Sequence, residues 1–310
     1  MQVEEELAEV SPEKDMLLTI GVFDGVHLGH KHLISQLKKH AREQNLLSGV
    51  VTFRQHPREV LSSRTEMAYL TIPAEKANLL KNEGVDTVIT LSFTTELAQL
   101  SAGQFVGLLK KYLRMRCLII GADFVLGRDR EGNVDTLRAL GQDLGFSVTV
   151  VSPAKVNSEV VSSTAVRDAL ADGNMKRVIS LIGRPFSLRG RVTAGSGRGL
   201  ELGFPTANLE VDPKQTLPAD GVYATLAYIN GKTYQSMTNI GKRPTFDGKE
   251  RTVETYLLNY QGNLYGHELK IDIVERLRGE ERFDTVDELK KQMTEDIEKG
   301  KAILDFRRGK

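Results

Sequence analysis

The chain has 310 residues, 40% of them hydrophobic and 27% charged, with 42 Lys and Arg against 41 Asp and Glu and a net charge of +1. That balance suits one to three globular domains, each long enough to bury a core, and offers no basic footprint for nucleic acid or an anionic membrane surface. The single cysteine, Cys117, excludes an internal disulfide, no apolar run approaches the ~20 residues that span a bilayer, and Gln2-Val3-Glu4-Glu5-Glu6 lacks the basic and apolar parts of a signal peptide, so a cytoplasmic location is expected.

Residues 17–151 alternate short apolar runs with amphipathic stretches. Strands are expected at 17–23, 50–53, 85–91, 118–121 and 148–151, and helices near 31–43, 73–83, 101–114 and 133–144. Such alternation predicts a parallel sheet covered on both faces, with ligands beyond the carboxyl ends of its strands. The first of those ends carries Gly21-Val22-Phe23-Asp24-Gly25-Val26-His27-Leu28-Gly29-His30. A helix start points unpaired N–H groups and partial positive charge outward, which attracts phosphate. His27 and His30 add side-chain donors, and Gly29 removes a Cβ, so that a ligand can approach the backbone. Two histidines three apart also suit a surface pair or half a metal site. A zinc site wants further ligands at ordered spacing, and the other histidines form no such cluster.

Val161-Ser162-Ser163-Thr164-Ala165-Val166-Arg167 opens the next helical stretch, which ends near Ile182. Ser and Thr are ordinary helix caps, but Arg167 sits in a first turn, where a cation is disfavoured unless an anion binds there. The pattern changes near 183, which places a domain boundary between 1–182 and 183–310. Strands are expected at 223–229 and 233–237 around an Asn230-Gly231 hairpin turn, and at 252–259 and 268–274, as an antiparallel barrel or sandwich. Gly195-Ser196-Gly197-Arg198-Gly199-Leu200-Glu201-Leu202-Gly203 is a Gly-rich loop, not a P-loop, and by itself suits a flexible connection. It runs into Phe204-Pro205-Thr206-Ala207-Asn208, where Thr206 and Asn208 offer neutral oxygen ligands to a hard cation, or act as strand-end polar residues. On an alternating strand, Val253 and Thr255 face one side and Glu254 the other; taken alone, Glu254 reads as an exposed carboxylate. Thr285-Val286-Asp287-Glu288 forms a capping box for a closing helix, with Val286, Leu289, Met293 and Ile297 along one face.

The stretch 21–30 resembles the His-x-Gly-His signature of the nucleotidyltransferase superfamily. Its longer form is similar to the adenylyltransferase half of bacterial bifunctional riboflavin kinases/FMN adenylyltransferases, the FAD synthetases. Ser163-Thr164 with Arg167, Thr52-Phe53-Arg54-Gln55-His56-Pro57 and Gly121-Ala122-Asp123-Phe124-Val125-Leu126-Gly127 resemble further motifs of that half. Pro205-Thr206-Ala207-Asn208, Gly221-Val222-Tyr223-Ala224, Asn239-Ile240-Gly241-Lys242-Arg243-Pro244-Thr245-Phe246, Val253-Glu254-Thr255 and Leu264-Tyr265-Gly266 resemble the kinase half. Val125 and Leu126 depart from the family, where Arg and Phe are common, and either change would reshape the adenine or flavin pocket. The first 15 residues fall outside the resemblance and receive no role.

The resemblance implies an α/β, Rossmann-like nucleotidyltransferase domain followed by an antiparallel β-barrel riboflavin kinase domain with a C-terminal helix. It implies that ATP binds the first domain through Gly21, Phe23, Asp24, Gly25, His27, Gly29, His30, Asp123, Ser163, Thr164 and Arg167. His27, His30 and Arg167 would assist transfer, and FMN would lie near His56, Pro57 and Phe124. In the second domain it implies ATP at Gly195, Gly197, Arg198, Gly199, Gly203, Pro205, Thr206 and Asn208, with Mg²⁺ on Thr206 and Asn208 and Glu254 as general base. Riboflavin, FMN and FAD follow as substrates and products, with ATP and Mg²⁺ at both sites. Partners are then small molecules rather than nucleic acid or membrane, and a homo-oligomer is left open. Two alternatives stand beside this reading: retention of only one activity, the adenylyltransferase being the one lost, and a flavin-sensing binding protein on the same scaffold.

Overall fold

The structure is a computed structural model that describes residues 1–61, 68–195, 199, 202–242 and 251–308. It divides into two compact units, Met1–Ser163 and Thr164–Lys310.

The first unit contains α1 (Gln2–Ala8), β1 (Met16–Ile20), α2 (Leu28–Glu43), β2 (Leu47–Phe53), α3 (Pro57–Leu61), α4 (Pro73–Asn82), β3 (Thr87–Leu91), α5 (Thr95–Ala98), α6 (Ala102–Leu113), β4 (Met115–Gly121), α7 (Val134–Leu144), β5 (Ser147–Val151) and a small hairpin of β6 (Lys155–Val156) and β7 (Glu159–Val160). The five long strands form an all-parallel sheet in the order β3-β2-β1-β4-β5. Successive residues feed opposite cores, as a doubly covered sheet requires. Met16, Leu18 and Ile20 join Leu118 and Ile120 on the face covered by α6, while Leu17, Val50, Cys117 and Ile119 pack with Ile34 and Leu37 of α2 on the other. The chain proceeds outward from β1 through β2 and β3, then returns to β4 on the other side. The switch point, and with it the ligand crevice of such sheets, therefore lies at the carboxyl ends of β1 and β4.

Two expectations shift, and one segment left unread takes a defined form. The first strand stops at Ile20 rather than residue 23, because Phe23 and Val26 take positive φ (52° and 39°), which no strand accommodates. The following helix starts at Leu28, a turn earlier than residue 31, which places His27 at its N-cap. The N-terminal segment, given no role, folds as α1, with Val3 and Leu7 buried and Glu6 accepting from both the N–H and the hydroxyl of Ser92.

The second unit contains α8 (Ser163–Ala171, opening at the division), α9 (Met175–Ile182), β8 (Phe186–Thr193), β9 (Thr206–Val211), β10 (Gly221–Ile229), β11 (Lys232–Lys242), β12 (Arg251–Leu257), β13 (Glu268–Arg278) and α10 (Val286–Arg308). Its six strands close into an antiparallel barrel, β10-β11-β12-β9-β8-β13, so the sequence's choice between barrel and sandwich resolves to the barrel. Asn230 and Gly231 both take positive φ (48° and 75°), the geometry of the expected two-residue hairpin. Inside the barrel, the buried hydroxyls of Ser236, Thr225, Thr238 and Thr255 bond in series at 2.8–3.0 Å, which satisfies polar groups that burial would otherwise penalise. Outside it, α10 packs Leu304 among Ala224, Met237, Val274 and Leu277, and α9 lies on β8 and β13. No helix among the described residues is long and apolar enough to cross a membrane.

Candidate active sites

In the first unit the turn after β1 is held from three sides. Asp24 is buried, and its carboxylate accepts the N–H of Leu70 at 2.9 Å and of Thr71 at 3.2 Å. The Asp24 carbonyl accepts the Ser163 hydroxyl at 2.9 Å. Gly25, at φ 85°, packs so closely on Leu70 that a Cβ would sit 2.9 Å from it. The turn thus presents the start of α2 in a fixed pose.

His27 caps that helix. Its Nδ1 accepts the N–H of His30 at 3.3 Å, so in the neutral ring the proton sits on Nε2. The His27 and His30 rings stack with centroids 3.6 Å apart, and Phe23 meets His30 edge-on at 5.1 Å. His30 Nδ1 is buried without a hydrogen-bond partner among the described residues. Burial first, then the neighbouring His27 and Lys76, push the His30 pKa well below the ordinary imidazole value. A neutral imidazole with an unsatisfied buried atom beside a helix start is suited to hydrogen-bonding an anion without competing for its proton. A Cβ on Gly29 would lie 2.9 Å from the Val161 carbonyl and 3.0 Å from the His27 ring, so its missing side chain also makes room for protein.

The structure therefore brings Asp24, His27, Gly29, His30 and Ser163 together. Gly21 packs under the Phe23 ring. Asp123 and Phe124 follow β4 at the other side of the switch point, Asp123 exposed and Phe124 half-buried. His56 and Pro57 follow β2, where His56 Nδ1 accepts the Arg58 N–H and the His56 N–H donates to the Tyr69 hydroxyl. Thr164 and Arg167 stand in the first turns of α8, Thr164 exposed and Arg167 half-buried.

Lys76 of α4 gave no signal in sequence, where it reads as one more helix lysine. It is 2% exposed, and its ammonium donates to the carbonyls of Val22 at 3.0 Å and Phe53 at 2.7 Å. Burial lowers its pKa to about 8 against the opposing pull of Asp24.

Two cavities among the described residues of the second unit, of about 620 and 370 Å³, share Gly199, Thr206 and Glu254 in their walls. Glu254 lies on β12 between Asn208 of β9 and Asn239 of β11. Val253 and Thr255 turn into the barrel core, as the alternation predicts, which leaves Glu254 facing the cavities. The Thr206 hydroxyl donates to Glu254 at 3.5 Å, a long bond. Gly195, Pro205 and Asn208 line the smaller cavity, where Asn208 fills the space a Cβ on Gly195 would need. Gly203 turns the loop at φ 88°. Gly197 and Arg198, like Ser196, Leu200, Glu201 and the stretch 243–250, lie outside the described residues.

The larger cavity runs between the barrel and the start of α10, so Val286, Leu289, Met293 and Ile297 face it. Its far wall holds Arg278, which grips Asp296 of α10 with three contacts of 2.9–3.1 Å and covers the Phe283 ring at 5.6 Å. Neither residue belongs to a local motif, and their separation of 18 positions hides the pair from sequence reading. Thr206 and Glu254 at the joint of the two cavities, with Asn208 in the smaller one, offer a hydroxyl, a carboxylate and an amide oxygen, donors that fit a hard divalent cation.

The family model for FAD synthetase matches residues 10–165 and that for riboflavin kinase matches 182–304. A bifunctional riboflavin kinase/FMN adenylyltransferase of Escherichia coli is 38% identical over 92% of both chains. That of Pseudomonas fluorescens is 37% identical over 98% of both. Among solved structures, a Streptococcus pneumoniae protein named as a macrolide-efflux protein superposes with a TM-score of 0.88 at 31% identity, covering 96% of each chain. With both family models matched in series and relatives aligned along nearly its whole length, the chain belongs to the family of bifunctional riboflavin kinases/FMN adenylyltransferases.

Proposed function

We propose that the chain makes FMN and FAD in two steps: the barrel unit phosphorylates riboflavin, and the sheet unit adenylylates the FMN with release of pyrophosphate. The observation that carries the kinase step is the meeting of two cavities at Thr206 and Glu254. The larger, apolar along the α10 side, suits the flavin ring, and the smaller, behind the Gly-rich loop, suits ATP. The riboflavin 5′-hydroxyl would then reach the γ-phosphate beside Glu254. Glu254 takes the hydroxyl proton as the oxygen attacks, and ADP leaves. Thr206 and Asn208 would hold Mg²⁺ shared with the nucleotide phosphates, whose charge the ion neutralises when bound.

For the second step, an FMN phosphate oxygen attacks the α-phosphate of ATP and pyrophosphate departs. His27 and His30 donate to the phosphate oxygens as charge builds, and the N-terminus of α2 adds its N–H groups. Ser163, Thr164 and Arg167 are assigned to the β,γ-phosphates on the family resemblance, and Gly21, Phe23, Gly25 and Gly29 shape the turn. Asp24 belongs to the ATP site as the residue that fixes the turn from beneath. Asp123 is placed on ATP, and His56, Pro57 and Phe124 on FMN, at neighbouring strand ends. Gly203 and the described glycines of the kinase loop take the second ATP. We put the boundary between the catalytic modules at 182/183, on the change from helical to strand pattern; the riboflavin kinase match starts at residue 182. A cytoplasmic location is proposed on the one buried, unpaired cysteine, and small-molecule partners alone on the balanced charge.

A flavin sensor has no need of a carboxylate at the junction of its two cavities, and one variant separates the readings. Glu254→Ala should lower riboflavin phosphorylation by roughly 10²–10⁴-fold while FMN adenylylation continues. A loss under tenfold, measured by separating the flavin products, would remove Glu254 as the base.

A further inference from the structure

Charged lysine ammonium groups are almost never fully buried unless paired, because desolvation costs several kcal/mol. Lys76 is such a group, yet among the described residues no carboxylate lies within ion-pair distance of it. Its two hydrogen bonds go to main-chain carbonyls instead, Val22 at 3.0 Å and Phe53 at 2.7 Å. These carbonyls sit where β1 and β2 part: Gly21 still donates to Val51, and one residue further the chain turns into Phe23. The Thr52 hydroxyl donates to the same Val22 carbonyl at 3.1 Å. Lys76 thus clamps the two strand ends that carry the His27–His30 turn and the Arg54–Pro57 segment. Asp24, the carboxylate whose field reaches it, is engaged with the N–H groups of Leu70 and Thr71.

Resting on the adenylyl-transfer reading above, we infer that Lys76 is a positioning residue for that step: a buried cation that fixes the strand ends under the phosphate-binding turn and supplies positive charge beneath the polyphosphate. At 2% exposure it does not touch substrate. Its charge acts through protein of low polarity, where screening is weak. The anion of the bound nucleotide adds to the field of Asp24, the carboxylate that acts on Lys76 among the described residues. The same charge helps keep His30 neutral; the titratable groups acting on that ring are His27, stacked on it, and Lys76.

Three variants of the full chain test this: Lys76→Met keeps the shape without charge or donors, Lys76→Gln keeps donors without charge, and Lys76→Arg keeps both. FAD formation from FMN and ATP should fall by about 30-fold or more in the Met and Gln variants, chiefly in kcat, with Arg recovering part of the loss. Riboflavin phosphorylation should stay within about twofold, which reports on the barrel unit alone; the fold of the first unit is read from near-parent far-UV circular dichroism and a cooperative melt of each variant. Independently of activity, the His30 ring, assigned by NMR with the help of His30→Gln, should titrate at higher pH in the Met and Gln variants. FAD formation within about threefold of the parent in the Met or Gln variant, or an unmoved His30 titration, would overturn the inference. A parent chain that makes no FAD from FMN would instead overturn the adenylyl-transfer reading on which it rests.

Discussion

His30 donates as a neutral ring because its environment refuses a proton: it is buried, it stacks on a second imidazole and it feels a buried ammonium. The linkage follows in sign. In the unfolded chain the ring binds a proton near pH 6.5, and in the folded chain it does so only at lower pH, so the first unit loses stability as pH falls below about 6.5. His30→Ala should lower FAD formation by roughly 10²–10³-fold, as loss of an oxyanion donor does, leave FMN formation unchanged, and flatten the stability loss between about pH 6.5 and 5. Undiminished FAD output from that variant would remove His30 from the site. At this scale the sequence was readable where several local signals coincide: apolar run, glycines, histidines and helix start all fall within ten residues. It was silent on Lys76, whose identity is common in helices and whose burial depends on three elements brought together by the fold. It did not show the Val161 carbonyl against Gly29, a contact that only the folded chain makes.

Helix α10 does two jobs with one surface. Its C-terminal part buries Leu304 against the barrel, while its first turns wall the larger cavity. The capping box is formed as expected: Thr285 accepts the Glu288 N–H at 3.2 Å, and Glu288 accepts the Thr285 N–H at 3.3 Å. Thr285→Ala should therefore cost about 1 kcal/mol in the barrel unit and loosen the cavity wall. The expected readouts are a lower Tm and a raised KM for riboflavin with kcat little changed; a fall in kcat alone would mean that the helix start does not serve flavin binding. Periodicity revealed the apolar stripe Val286, Leu289, Met293 and Ile297, but not what it faces. A stripe on a cavity and a stripe on a core have the same spacing, and Val286, at 57% exposure, is distinguished only by the structure.

At the scale of the molecule, strand alternation announced a parallel sheet and hairpin turns an antiparallel second half, because both signals are local. Strand order is set by contacts between distant residues and was not legible, and the choice of barrel over sandwich came from the family resemblance rather than from the strand pattern. The packing of the helices between the two patterns was not legible either. The change of pattern near 183 marks where strands begin, whereas α9 lies on β8 and β13, Ala219 donates to the Leu170 carbonyl, and Lys176 pairs with Glu275 at 3.0 Å. A fragment of 164–310 should therefore melt at least ~5 °C above one of 183–310, which would expose the apolar face of α9's partners. Equal melting points would show that the two helices add nothing to the barrel unit.

The central claim is that one chain carries both transfers. Purified protein incubated with riboflavin, ATP and Mg²⁺, with the flavins separated over time, tests it directly. FMN should rise first and FAD follow at its expense. FMN accumulating without FAD would contradict the second activity and turn attention to Val125 and Leu126, and unchanged riboflavin would contradict the account as a whole.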